Sequence, residues 1–209
     1  MDFNLEIIPD PKSKPNELIF DIKGDQTNGL DKTIVNGLRR TILSSIPTLA
    51  FRTEINNSDL IVKKNDSSLH NEFLIDRIGL IPLYIDPMNY QKQYLFHLNV
   101  KNSELTPVTT ITAKDFEIYP LKKNIDPNLI ESINFDDYDK LNPLTEKEKA
   151  KIFRPFKYNK KDYYCIITEL KTTNSSTVQE IDIYGVPSIS YAYEDSKWQA
   201  VSKACYTFK

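Results

Sequence analysis

The stretch Asn36-Gly37-Leu38-Arg39-Arg40-Thr41-Ile42-Leu43-Ser44-Ser45-Ile46-Pro47 decides how the chain is read. Val35, Leu38, Ile42 and Ile46 recur at spacings of three and four, which sets them on one face of a helix beginning near Asp31. Pro47 cannot continue a helix and ends it. At about 100° of rotation per residue, Arg39 projects close to the apolar stripe and Arg40 lies on its flank. Two readings of this pair stand side by side. The arginine stems can cover apolar surface while the guanidinium groups stay in water. Alternatively, their planar forks pair with carboxylates or carbonyls of another chain.

Ahead of this helix, residues 5–8 and 18–22 read as short strands separated by a turn carrying Pro11 and Pro15, and residues 25–28 as a second polar turn. After Pro47, Leu49, Phe51, Thr53 and Ile55 alternate with Ala50, Arg52 and Glu54 as a strand, and Leu60-Ile61-Val62 is expected to pair with it. Ser67 or Ser68 is expected to cap a helix over 69–78 that buries Phe73, Leu74 and Ile78 and stops at Gly79. Strands are expected at 94–100, 108–112, 163–170, 178–184, 188–193 and 204–208. Few helices among many alternating strands predict an α+β fold with mostly antiparallel pairing.

Composition closes several functional classes. The chain has 209 residues and a net charge of −2, so no overall basic field draws nucleic acid. Its longest apolar run, 78–85, contains Gly79 and Pro82 and falls well short of the ~20 residues a membrane span needs. The start Met1-Asp2-Phe3-Asn4 lacks the basic opening of a secretory signal. Cys165 and Cys205 are read as reduced and packed like small hydrophobes, in an intracellular compartment, nucleus or cytoplasm. The five glycines form no phosphate cradle, and neither HExxH nor GxSxG occurs. His97 reads as a half-exposed sheet residue and His70 as solvated. Asp136, Asp137 and Asp139 lack the Gly and Glu of a calcium loop and read as a solvated acidic loop within the base-free segment 126–139. Residues 146–161 carry seven Lys/Arg against two Glu. They are read as a surface loop around a short helix.

Three segments, in order, resemble one family. The 36–47 stretch is similar to the N-x-LRR-x-LLSS-x-P helix of the α subunit of bacterial RNA polymerase. The segment Asn71-Glu72-Phe73-Leu74-Ile75-Asp76-Arg77-Ile78-Gly79-Leu80-Ile81-Pro82-Leu83 resembles the EF-x-x-x-R-x-GLIPL segment of the archaeal counterpart of that α chain and of the third-largest eukaryotic subunit. Ser196-Lys197-Trp198-Gln199-Ala200 is similar to the AKW-x-P region that follows their insertion domain.

The resemblance implies a dimerisation domain of RNA polymerase α type, residues 1–52 plus 196–209, with a mostly antiparallel insertion domain over 53–195. It implies a non-catalytic assembly platform that pairs with a smaller α-like subunit, docks the large catalytic subunits and other small polymerase subunits, and meets DNA only indirectly. On this footing Val35, Leu38, Ile42 and Ile46 pack in the dimerisation domain and toward its partner. Arg39, Arg40 and Ser44 are candidates for the second-largest subunit, which favours the interface reading of the arginines. Glu72 and Arg77 are expected to pair beside the GLIPL turn. Trp198 is expected to anchor contact between domains or with a neighbouring subunit.

The departures carry expectations too. The cysteine cluster by which many relatives hold zinc or an iron–sulfur centre is missing, so neither metal nor cofactor is expected. Tyr191-Ala192-Tyr193-Glu194-Asp195 replaces the family's GIG, and Ala200 its Pro. The family's long C-terminal helix would lie beyond Lys209, in a longer polypeptide or another chain. The Asn/Lys/Ile-rich composition suits the polymerase of a large DNA virus, and hence a virion. The competing reading is a stand-alone adaptor or nucleic-acid-binding module using the basic stretch 146–161.

Overall fold

Asp31 opens the first helix, its carboxylate accepting the backbone N–H groups of Thr33 and Ile34 at 2.7 and 3.1 Å. Helix α1 then runs Lys32–Ser44. Ser45 closes it by donating its N–H to the Thr41 carbonyl, and Pro47 keeps the preceding residue out of helical geometry.

The computed structural model describes residues 4–7, 17–23, 31–54, 56–90, 93–102, 107–121, 142–171 and 178–208. The expected turns at 11–15 and 25–28 and the acidic segment 126–139 lie outside these residues. The chain divides into Met1–Ile46 with Gln199–Lys209, and Pro47–Trp198. In the first unit, β1 (Asn4–Ile7) pairs antiparallel with β2 (Phe20–Lys23), Asn4 opposite Lys23 and Ile7 opposite Phe20. The strand expected at 204–208 does not form: a strand needs a ladder partner, and among the described residues none is present there.

The second unit opens with β3 (Thr48–Ala50), which pairs with β14 (Ser188–Ser190), not with residues 60–62 as expected. The cause is a tight hairpin of β4 (Thr53–Glu54) and β5 (Asn57–Ser58). Arg52 and Asp59 close it: the Asp59 N–H donates to the Arg52 carbonyl, and the Arg52 N–H donates to the Asp59 carboxylate at 2.8 Å. The same carboxylate accepts the Ser188 hydroxyl, and the Asp59 carbonyl accepts the Val186 N–H. The chain leaves this knot beside residues 180–185, so β6 (Leu60–Asn65) joins β13 (Glu180–Gly185).

β13 is central in a four-stranded antiparallel sheet of order β6-β13-β7-β9, where β7 is Tyr94–Lys101 and β9 is Glu117–Pro120. β8 (Val108–Thr112) pairs separately with β12 (Ile166–Lys171). The strand expected at 163–170 is broken. Its first residue, Tyr163, belongs to a hairpin of β10 (Phe156–Tyr158) and β11 (Lys161–Tyr163), which follows the short helix α3 (Glu146–Ile152). Thr145 and Glu148 start α3: the Thr145 hydroxyl and N–H both donate to the Glu148 carboxylate, and the Glu148 N–H donates to the Thr145 carbonyl.

Helix α2 spans Asn71–Gly79. Ser67 does not cap it; its hydroxyl accepts the Leu69 N–H in a turn just ahead, and His70 takes the cap position. Leu74 and Ile78 are buried as expected, but Phe73 is 65% exposed. Adjacent helical positions lie about 100° apart, so a helix that points Leu74 and Ile78 inward turns Phe73 away. Gly79 allows α2 to end against the Thr53 side chain and the Phe51 backbone, because a Cβ there would meet Thr53 Cγ2 at 2.6 Å and the Phe51 carbonyl at 3.1 Å. The core of this unit is built on Phe51, Phe96, Phe116 and Phe153, whose ring centroids lie 5.3–6.4 Å apart in edge-on and stacked pairs. Among the described residues no helix is long and apolar enough to cross a membrane.

Candidate partner-binding surfaces

Helix α1 carries most of the residues singled out from sequence, and it buries none of its own residues. Val35, Arg39, Ile42 and Ser44 are half-buried and Arg40 is exposed. Leu38 is 38% exposed and Ile46, just beyond the helix, 37%. Ile34, 40% exposed and four residues before Leu38, widens the stripe at its start. Arg39 lies along this face, its Nε donating to the Asn36 side-chain oxygen at 3.1 Å. Ser44 turns inward on its own helix, its hydroxyl donating to the Arg40 carbonyl at 2.9 Å. A helix of this length is marginal in water without packing of its apolar face.

Glu72, Arg77 and Trp198 belong to the second unit. Glu72 and Arg77 are both exposed but do not form the expected pair: the Arg77 guanidinium donates instead to the Ile166 carbonyl at 3.1 Å, tying α2 to the start of β12. Phe73, Arg77 and Leu80 line the outward side of this segment, with Phe73 65% and Leu80 66% exposed. The sequence reading missed this second apolar line because it assigned Phe73 to the core.

Trp198 is fully buried, so its ring offers no surface to a neighbouring subunit, one of the two contacts expected of it. Its carbonyl accepts the Thr48 hydroxyl at 2.6 Å and its indole N–H points to the Ser188 carbonyl at 3.4 Å, fastening β3 and β14 together. Arg52 and Lys197 lie 5.2 and 5.3 Å from its ring as cation–π partners. Each cation is held in turn: Arg52 by Glu194 at 2.7 Å, and Lys197 by Asp195 at 3.2 Å and the Thr53 hydroxyl. The Ser190 hydroxyl donates to Glu194. That bond, joined by the Arg52 charge and outweighing burial, holds the Glu194 carboxyl below the usual range. For Asp195, burial raises the pKa, but hydrogen bonds from the Lys197 backbone and side chain outweigh it and leave the carboxyl low. Glu194 and Asp195 come from the segment that replaces the family's GIG, and here they serve as the counter-ions of the tryptophan cage.

Two further expectations are corrected. His97 is buried, at 5% exposure, because both faces of β7 are covered: Leu95, Phe96, His97 and Leu98 are all buried in succession. Its Nε2 meets the Asp182 carboxylate at 2.9 Å, and its ring stacks on Tyr184 with centroids 4.0 Å apart. Cys165 and Cys205 are both exposed instead of packed. Cys165 stands in the bend between β11 and β12, where its carbonyl accepts the Ala113 N–H and its side chain faces out.

The chain resembles polymerase subunits from distant lineages. It is 34% identical over 107 residues to the DNA-directed RNA polymerases I and III subunit rpac1 of Dictyostelium discoideum, covering 51% of this chain and 24% of that protein. It is 40% identical over 62 residues to DNA-directed RNA polymerase subunit Rpo3 of Methanosphaera stadtmanae, covering 30% and 21%. It is 38% identical over 74 residues to the DNA-directed RNA polymerases II, IV and V subunit 3 of Arabidopsis thaliana, covering 35% and 21%. The matched stretches thus span no more than about a quarter of these relatives. The RNA polymerase Rpb3/Rpb11 dimerisation domain profile matches residues 26–182, from ahead of α1 into β13. With three quarters of its length under that profile, the chain belongs to the Rpb3/Rpb11 dimerisation domain family of RNA polymerases.

Proposed function

We propose that this protein is a non-catalytic assembly platform of a multisubunit DNA-dependent RNA polymerase. Its α1 face pairs with a smaller α-like subunit, and the pair docks the large catalytic subunits. The observation that carries this reading is α1 itself: a helix in the family's dimerisation profile whose apolar stripe stays partly open within its own chain. The unit of residues 1–46 and 199–209 then serves as the dimerisation half, and residues 47–198 as the inserted half. Val35, Leu38, Ile42 and Ile46 supply the apolar seam. Arg40 and the half-buried Arg39, with Ser44 beside them, face the second-largest subunit.

Affinity purification of the tagged chain from its native source is the test. The expected eluate holds two very large chains and a small α-like one and polymerises nucleotides. Recovery of the chain alone would overturn the proposal. Arg39→Ala with Arg40→Ala should lower recovery of the second-largest subunit without unfolding the chain. Wild-type recovery would reduce both arginines to the solvated role.

A further inference from the structure

We infer that the β10–β11 hairpin is a platform for single-stranded nucleic acid. This proposal does not rest on the scaffold reading and uses a different part of the chain. The hairpin pairs Phe156 with Tyr163, Lys157 with Asp162 and Tyr158 with Lys161 across a two-residue turn. Asn159 and Lys160 in that turn have φ of 47° and 62°, the mirror-image backbone that matches strand twist and fixes the register. Directly opposed residues share a face. One face therefore presents Phe156, Tyr163, Tyr158 and Lys161, on rungs about 7 Å apart, and the other presents Lys157 and Asp162.

All six strand residues are exposed. Phe156 is 70%, Tyr158 59% and Tyr163 49% open to solvent, an apolar display on a two-stranded element that has little burial to stabilise it. Lys157, Lys160 and Lys161 outnumber Asp162 on the ribbon, and α3, just ahead of it in the chain, carries three lysines against Glu146 and Glu148. In a chain of net charge −2 this is a local concentration of cations.

Rings with cations beside them are what unpaired bases need: the bases stack on the rings, and lysines reach the phosphates. An amphipathic helix would instead need a groove with walls, and a ribbon exposed on every strand residue provides none. The ligand class that fits is thus a single strand, bound with little sequence preference.

The full-length chain should be titrated against a fluorescein-labelled oligouridine of about a dozen nucleotides, a length within the usual single-strand site size, and followed by anisotropy. Binding is expected at low salt, weakening as salt rises with a log–log slope of about −1.4 if Lys160 in the turn and Lys161 on the ring face each meet a phosphate. Tyr158→Ala with Tyr163→Ala should weaken binding at least about tenfold. Lys160→Gln with Lys161→Gln should flatten the slope by about 1.4 units, to near zero. The lysine variant keeps all the rings and carries the test if the tyrosine variant does not fold, which far-ultraviolet circular dichroism would show. No binding at low salt, or variants that bind like wild type, would overturn the proposal. Stronger binding of a Glu/Tyr peptide, displacing the oligonucleotide, would also overturn it and assign the ribbon to a protein partner.

Discussion

The tryptophan cage and helix α1 treat apolar surface in opposite ways. Around Trp198, every group has an answer within the same chain: the ring is buried, two cations flank it, and both cations have carboxylate partners. On α1 the apolar residues have no such cover, and no residue of the helix is buried. Both regions lie in segments that resemble polymerase subunits, so family resemblance alone does not distinguish their tasks. Burial does. The cage holds its own fold together, while α1 carries a surface that a second chain can complete.

The largest effect on this contrast should come from Trp198→Ala, expected to cost about 3–5 kcal/mol as a large buried ring is lost from a core. Chemical denaturation followed by circular dichroism would measure it, and a loss under about 1 kcal/mol would mean the cage is not an anchor. Next is Gly185→Ala. The new Cβ would fall 2.6 Å from Leu60 Cδ2 and 2.9 Å from Phe51 Cε1, so a cost of about 1–3 kcal/mol is expected.

A smaller effect is expected from acid. Glu194 has a folded pKa below the ordinary carboxylate value, so its stabilisation is present above the unfolded pKa, about 4.3, and is lost as pH falls through the folded value. The melting temperature should therefore fall between about pH 5 and pH 3, and Glu194→Gln should make that decline shallower. An identical pH profile in the variant would remove Glu194 from the account. The smallest effect on stability should come from Leu38→Asp, within about 0.5 kcal/mol because the position is partly open. The same variant should abolish pairing with the small α-like subunit, since the complex would have to bury a charge. A large loss of stability in the isolated chain would instead show that the α1 stripe is already core.

Local order was legible in the sequence wherever neighbours in the chain decide it. Asp31 and the 3–4 spacing gave α1, and the alternation at 94–100 and 108–112 gave β7 and β8. Pairing was harder to read. β6 lies beside β13, about 120 residues away in the chain, and nothing within 49–62 signals this. The decisive group is Asp59, whose three attachments to Arg52, Ser188 and Val186 span the whole unit. His97 was misjudged because alternation reveals which residues share a sheet face, not whether the second face is covered. Among the site residues, the α1 stripe could be drawn from sequence because its 3–4 spacing is local, whereas its partial exposure could not be read from that pattern. The burial of Trp198 could not, because its cage is assembled from residues 48, 52, 188 and 194–197.

The strand order β6-β13-β7-β9 also constrains how the protein is made. β13, the second-to-last of the described strands, sits between two strands synthesised much earlier. Until Gly185 clears the ribosome, β6 and β7 cannot be joined, and both wait with open edges. The sheet therefore closes late in translation, across long-range pairings that form slowly. Nascent chains that stall between residues 120 and 180 would have three of the sheet's four strands with only β7 and β9 able to pair, which makes this interval the stretch of synthesis most in need of a chaperone.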